Sequence, residues 1–241
     1  MKYMGSKRRI ANDIIAILEP HLKNRQFVDL FCGGCNLIDK VNHPVRIAND
    51  NNKYLIAMWK GLQQDLPRPY LIPKELYSRA RDEYNNQTNN EFTDFEIGWI
   101  GWMGSYNGRF FDGGYSGHNV KGRDYISEQI RNTEEQITNL ADVKFYNLDY
   151  KNITITKPSV VYCDIPYKDV KQYASSKNFN HEEFWQWCRN IPKHSKIFIS
   201  EYSAPDDFKC VWQKEVTNSL NTKKTYKPTE RLFTLWDGTQ I

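Results

Sequence analysis

Apolar positions recur at helical spacing over residues 8–22, where Ile10, Ile14, Ile17 and Leu18 share one face and Pro20 stands near the end, so the chain opens on an amphipathic helix. The pattern then switches. Residues 27–31 are a short apolar run that reads as a strand, a glycine-containing turn follows at 32–36, and 37–41 reads as a short helix. A second run at 45–48 closes on Asn49-Asp50-Asn51-Asn52 and leads into a helix over 53–64, the start of a βαβα wind. The alternation stops at Pro67. Helical patterns at 74–84, 92–103 and 126–140 then enclose a glycine-rich aromatic stretch, 104–118. Asn107-Gly108 and Asp112-Gly113 are hairpin-turn dipeptides, so a mobile β-ribbon or an ordered loop is expected there rather than helix. The wind resumes with parallel strands at 143–146, 159–163 and 195–200, a helix at 181–190, and an antiparallel pair at 208–216 and 231–236. The expected fold is α/β: a Rossmann-like, doubly wound, mostly parallel sheet from residues 1–66 and 141–241, interrupted at 67–140 by a small, mainly helical insertion carrying a β-ribbon.

Composition narrows the class. A length of 241 residues suits one large α/β domain with a smaller insertion. No run of about 18 apolar residues exists and the first residues are charged, so a soluble intracellular protein is expected. The net charge of +4 permits a polyanionic partner without requiring one, and the basic residues cluster at Lys7-Arg8-Arg9, at Lys121 and Arg123, and at Lys223, Lys224 and Lys227. Five cysteines, an odd number, argue against a disulfide framework.

Two sites carry candidate chemistry. The run 159–163 delivers Asp164-Ile165-Pro166-Tyr167 to one edge of the sheet. Asp164 and the Ile165 carbonyl can each accept one N–H of an exocyclic amine, Pro166 restricts the carbonyl, and Tyr167 can stack on a flat ring. The bland alternative is a strand ending in a proline turn. At the first turn, Gly33 and Gly34 let a ligand approach the backbone, and Asp50 lies about 20 residues beyond the turn, where a doubly wound sheet places a ribose-binding carboxylate. The three spaced glycines of a nicotinamide site are absent. Cys32-Gly33-Gly34-Cys35 also admits a rival, a dithiol redox site whose thiol is activated by a helix N-terminus.

Together these residues resemble the Dam-type DNA adenine-N6 methyltransferases over most of the chain. Lys2-Tyr3-Met4-Gly5-Ser6-Lys7 is similar to the family's N-terminal segment, residues 27–36 to its Phe-x-Gly-type loop, Tyr146-Asn147-Leu148-Asp149-Tyr150 to its adenine-holding segment, and 164–167 to its Asp-Pro-Pro-Tyr. The resemblance implies a class I methyltransferase fold and S-adenosylmethionine as methyl donor. It implies donor contacts from Tyr3, Gly5, Lys7, Asp29, Phe31, Gly33, Asp50, Asp149, Tyr150 and Asp164, with Asp164, Ile165, Pro166 and Tyr167 catalytic and no metal. Ile165 departs from the family's first proline, and Cys35 from its small residue after the glycines.

The expected substrate is adenine in a short duplex DNA site, flipped out and methylated directly in line at N6. Asn107, Arg109, Asn119, Lys121 and Arg123 in the insertion are the expected DNA contacts, and the polar segment 175–180 is expected to close over the target. The same resemblance allows a companion restriction enzyme, a monomer or weak dimer, and a bacterial or phage-host cytoplasm. Alternatives are an RNA or protein-amide methyltransferase of the same sheet architecture and a non-catalytic DNA-binding relative. His181 and His194 have no metal-ligand spacing and read as surface or capping residues.

Overall fold

The computed structural model describes residues 1–88, 91–118, 120–168, 179–216 and 228–236. The cluster of Lys223, Lys224 and Lys227, Asn119, and residues 175–178 of the proposed closing segment lie outside them. The strands are β1 (Gln26–Asp29), β2 (Arg46–Asn49), β3 (Lys144–Tyr146), β4 (Ser159–Asp164), β5 (Lys196–Glu201), β6 (Phe208–Glu215) and β7 (Thr229–Leu235). They form one sheet in the order β3-β2-β1-β4-β5-β7-β6, the Rossmann-like arrangement expected. The first five run parallel, and β7 lies antiparallel to both β5 and β6. Central β1 and β4 read as unbroken apolar runs because both of their faces are covered: Phe27, Val28, Val160, Val161, Tyr162 and Cys163 are all buried.

The chain winds outward from β1 to β2 and β3, then returns to β4 on the other side. Such a reversal opens a crevice beyond the carboxyl ends of the strands. The residues that end the strands there are polar: Asp29 on β1, Asn49 on β2, Asp164 on β4 and Glu201 on β5.

The helices are α1 (Ala11–Leu18), α2 (Lys53–Gln63), α3 (Lys74–Asn86), α4 (Asp94–Gly104), α5 (Tyr125–Thr138) and α6 (His181–Arg189). Asn52, Asp124 and Asn180 cap α2, α5 and α6 through their side chains, and Thr93 with Glu96 forms a capping box on α4, each cap contributing about 1 kcal/mol. Residues 38–40 make only a single 3₁₀ turn, where a short helix was expected. Beyond its acidic first turn, helix α4 is apolar on every side, so that part lies inside the structure rather than on it. A Cβ on Gly98 would stand 2.2 Å from the Tyr54 carbonyl oxygen, and one on Gly61 2.2 Å from the Phe95 ring, so glycines bring α2 and α4 into backbone contact. Trp99 and Trp102 thereby join one hydrophobic core with Phe27, Trp59 and Val160 of the sheet.

The glycine-rich stretch is an ordered loop and not a ribbon. Its only pairings among the described residues are a single bridge, Ser105 with Tyr115, and a tight turn closed by Val120 and Arg123. The cause is Phe110-Phe111. Alternation along a strand would send these rings to opposite faces, but Phe111 takes a left-handed φ of 54° and both rings turn inward. Phe110 stacks on Trp102 at 3.9 Å between centroids, and Phe111 packs on Tyr77 and Tyr84. Among the described residues no helix is long and apolar enough to cross a membrane.

Candidate active site

A cleft of about 970 Å³ occupies the crevice between β1 and β4. The fold brings the whole expected constellation to it: Asp164, Ile165, Pro166 and Tyr167, the N-terminal Tyr3, Gly5 and Lys7, Asp29, Phe31 and Gly33 after β1, Asp50 after β2, and Asp149 and Tyr150 after β3 all line its walls. Among the described residues, Asn107 alone of the expected DNA contacts lines the cleft.

At the β4 side the groups are paired with one another. Lys7, 9% exposed, places Nζ 2.8 Å from Asp164 Oδ1 and 3.9 Å from Glu230 Oε2. Burial acts to lower the Lys7 ammonium, but the two carboxylates outweigh it and hold its pKa above the ordinary lysine value. Burial likewise pushes the Asp164 carboxyl up, and Lys7 opposes that. The ammonium also lies over the Tyr167 ring, 4.6 Å from its centroid, while Tyr167 donates its hydroxyl to Glu230 Oε2 at 2.6 Å. Lys7 is thus committed to the tetrad.

At the β1 side the paired glycines have an occupant from the chain itself. A Cβ on Gly33 would lie 2.7 Å from the Tyr3 ring and one on Gly34 2.5 Å from Tyr3 Cβ, so the missing side chains make room for Tyr3. Asp50 ties this loop to β2 by accepting the Gly33 N–H at 3.1 Å and the Asn52 N–H at 2.9 Å. Burial still leaves its pKa above the ordinary value. Buried Asn49 joins the loops beyond β1 and β3, donating to Leu30 O and Leu148 O and accepting from Leu148 N. Two polar atoms remain without a partner here, Asp29 Oδ1 and Asn36 Nδ2. Burial holds the Asp29 carboxyl well above its usual range. An acceptor and a donor left open in one cleft fit the ammonium and carboxylate of an amino-acid zwitterion. Beyond them Phe31, Tyr150 and Phe179 form an aromatic wall suited to a flat base, with Asp149 at its exposed rim.

The dithiol reading fails on these positions. Cys32 and Cys35 are buried, burial raises both thiol pKa values, and only a single 3₁₀ turn follows, so no helix terminus favours a thiolate. His181 is likewise neither a surface residue nor a cap. Asn180 makes the cap, and His181 Nε2 meets the Pro166 carbonyl at 2.8 Å. Sequence reasoning also passed over Asn36, Asn49, Glu201 and Glu230; an isolated acid beside the closing strand was the one signal for Glu230.

In the insertion, Lys121 is exposed at a left-handed turn, and Arg109 is half-buried with Nε unpartnered. Arg123 is bound to Glu128 at 2.6 Å and lies over Tyr125. Tyr106, the chain neighbour of cleft-lining Asn107, stands 56% exposed.

Residues 3–227 match the family described as D12 class N6 adenine-specific DNA methyltransferase. Among solved structures the chain is similar to the rRNA methyltransferase aviRa from Streptomyces viridochromogenes, at 12% identity and a TM-score of 0.41 over 97% of this chain and 86% of that one. It is also similar to SMU.472 complexed with SAH, at 14% identity and a TM-score of 0.38 over 98% of this chain and 55% of that one. With nearly its whole length matched, the chain belongs to the D12 class of N6 adenine-specific DNA methyltransferases and is an enzyme that methylates adenine in DNA with S-adenosylmethionine as donor.

Proposed function

We propose that Asp164 and the Ile165 carbonyl accept the two N–H bonds of an adenine amine flipped out of a short, specific duplex site, with Tyr167 stacking on the base. Lys7 covers one face of the Tyr167 ring, so the base takes the other. Lys7 also holds Asp164 in a fixed orientation and favours its ionised, accepting form. The observation that carries this reading is the pairing of buried Lys7 with Asp164 at the end of β4, inside the cleft that also holds the unpartnered atoms Asp29 Oδ1 and Asn36 Nδ2.

S-adenosylmethionine, when bound, supplies a methyl group already activated by its sulfonium. Asp29 and Asn36 would hold its amino-acid end, Asp50 its ribose, and Phe31, Asp149 and Tyr150 its adenine; Tyr3, Gly5 and Gly33 shape the loop between. The enzyme's own task is alignment of the amine and acceptance of its proton as charge develops. No covalent nucleophile is needed. Cys163, next to Asp164, is fully buried with its thiol pushed far up, which suits packing and not attack. Residues 67–140 act as the target-recognition part, with Asn107, Arg109, Lys121 and Arg123 facing DNA; Phe110 is a packing residue and no reader of bases. A restriction enzyme reading the same site would be the natural companion.

Asp164→Ala tests the reading with tritiated donor and unmethylated genomic DNA. Transfer should fall by on the order of 10³-fold while donor binding, measured by calorimetry, changes little. Substantial residual turnover would sink the assignment, and hydrolysis of the wild-type product to nucleosides shows whether N6 of adenine is the atom modified.

A further inference from the structure

We propose that His181 and Glu201 are positioning residues of the methyl transfer, which hold the two peptide planes flanking Tyr167 and thereby set where its ring lies against the target adenine. The inference rests on the role given to Tyr167 above. The peptide plane before Tyr167 carries the Pro166 carbonyl, 2.8 Å from His181 Nε2. A carbonyl oxygen only accepts, so Nε2 bears the proton and donates it. The plane after Tyr167 carries the Lys168 N–H, which donates to Glu201 Oε2 at 3.2 Å. Peptide planes are rigid, and φ and ψ of a residue are the rotations between its two planes. Holding both planes therefore fixes the Cα–Cβ direction of Tyr167.

The two holders come from elements outside the tetrad. His181 is the first residue of α6 and Glu201 the last of β5, and their side chains are 13% and 3% exposed. They converge at 3.8 Å between Nε2 and Oε2. Glu201 also braces the ring indirectly. Its Oε1 accepts the Tyr202 N–H at 2.6 Å, and the Tyr202 ring meets Tyr167 edge-on at 4.6 Å between centroids. The His181 ring is itself held by Phe179, 5.0 Å away. Burial raises the Glu201 carboxyl to about 7, a penalty that an apolar residue in its place would not carry. Pro166 is the only proline of the tetrad, and it restricts Ile165 rather than Tyr167. The covalent chain thus leaves Tyr167 free to turn, and these side chains supply the constraint.

The test compares His181→Gln, which can present an amide N–H where Nε2–H stood, with His181→Phe, which keeps the ring and loses the donor. With tritiated donor and unmethylated genomic DNA, His181→Phe should lower kcat by about 10-fold or more, with KM for the donor within about 2-fold, because a misplacement of about 1 Å can cost 10²-fold. His181→Gln should recover to within about 3-fold of wild type, since the lost interaction is a single hydrogen bond. Equal loss in both variants, no loss in either, or a loss carried by donor KM overturns the proposal. If melting by circular dichroism shows His181→Phe to be unfolded, Glu201→Gln against Glu201→Ala tests the other plane: Gln keeps one of the two accepting oxygens that Lys168 N–H and Tyr202 N–H use, and Ala keeps neither, so kcat should fall further in Glu201→Ala than in Glu201→Gln, and equal kcat in the two overturns the proposal. A wild-type enzyme that left DNA adenine unmodified would instead refute the role of the tetrad.

Discussion

The two ends of the cleft are built on opposite terms. Around β4 the polar groups satisfy one another: Lys7 with Asp164 and Glu230, Tyr167 with Glu230. Around β1, Asp29 Oδ1 and Asn36 Nδ2 are buried and have no partner. A buried polar atom without a hydrogen bond costs stability, so the fold tolerates at the donor end what it avoids at the catalytic end. Under the proposed assignment of residues, the catalytic end is preorganised and the donor end is completed by its ligand. Fixed dipoles and charges cost no reorganisation at the moment of reaction, whereas open partners convert ligand contacts into affinity.

Removing Lys7 attacks the preorganised end directly. Lys7→Met leaves half-buried Asp164 beside Glu230 with no cation between them, and breaking the pair should cost about 2–3 kcal/mol of folding stability, below the full penalty for a wholly buried pair. Urea unfolding measures that loss. Turnover on DNA should drop by on the order of 10²-fold, because both Asp164 and the Tyr167 ring lose the group that orients them. A variant as stable and as active as wild type would mean that the pairing around β4 is incidental.

The donor end predicts the opposite sign. Asp29→Asn removes a buried carboxyl that is held by the Phe31 N–H but has Oδ1 unpartnered, so the protein without donor should gain about 1 kcal/mol while donor binding weakens by about 10-fold. The gain depends on pH. Because the folded pKa of Asp29 lies well above its unfolded value of about 3.9, the folded state retains a proton that the unfolded state has released. Wild-type stability therefore falls as pH rises from about 4 towards the folded pKa, and the variant's advantage widens over that window. Saturating donor should narrow it again. Loss of stability in Asp29→Asn at neutral pH, with unchanged donor affinity, would erase the distinction between the two ends.

The sheet and the residues that end its strands were legible because their signals are local. Short apolar runs closed by Asp29, Asn49-Asp50 and Asp164 mark strand ends delivered to a crevice, and a doubly wound order follows from alternation. The glycines were legible only as a demand for space. That Tyr3, and not a ligand, lies against Gly33 and Gly34 depends on a contact across 30 residues of sequence that no local pattern encodes. The same holds for Glu230, which meets Tyr167 across 63 residues, and for Glu201, which meets Lys168 across 33. His181 escaped for a related reason: without metal-ligand spacing it reads as a surface or capping residue, and its actual partner is a carbonyl 15 residues upstream. Of the two expected forms of the glycine-rich stretch, the ordered loop and not the ribbon is found, because turn dipeptides report local φ preference whereas two aromatic rings seeking the core decided the path.

Ile165 gives the finest test of the preorganised end. Its side chain is 3% exposed and packs into the core below the sheet with Val161, Cys163, Phe184 and Ile199, so the departure from proline fills space that a proline ring would leave. Ile165→Pro trades that packing for a stiffer unfolded chain. Loss of buried methyl groups costs about 1–2 kcal/mol, and proline returns about 0.4–1 kcal/mol by restricting the unfolded state, for a net loss near 1 kcal/mol in urea unfolding. The accepting carbonyl stays in place in either case, because Pro166 still restricts residue 165 and His181 still holds the next peptide. Turnover should accordingly stay within about 3-fold of wild type. A rise of 10-fold or so at unchanged stability would show that the Ile165 backbone limits the chemistry, and that the β4 end, for all its internal pairing, is not preorganised at the atom that matters most.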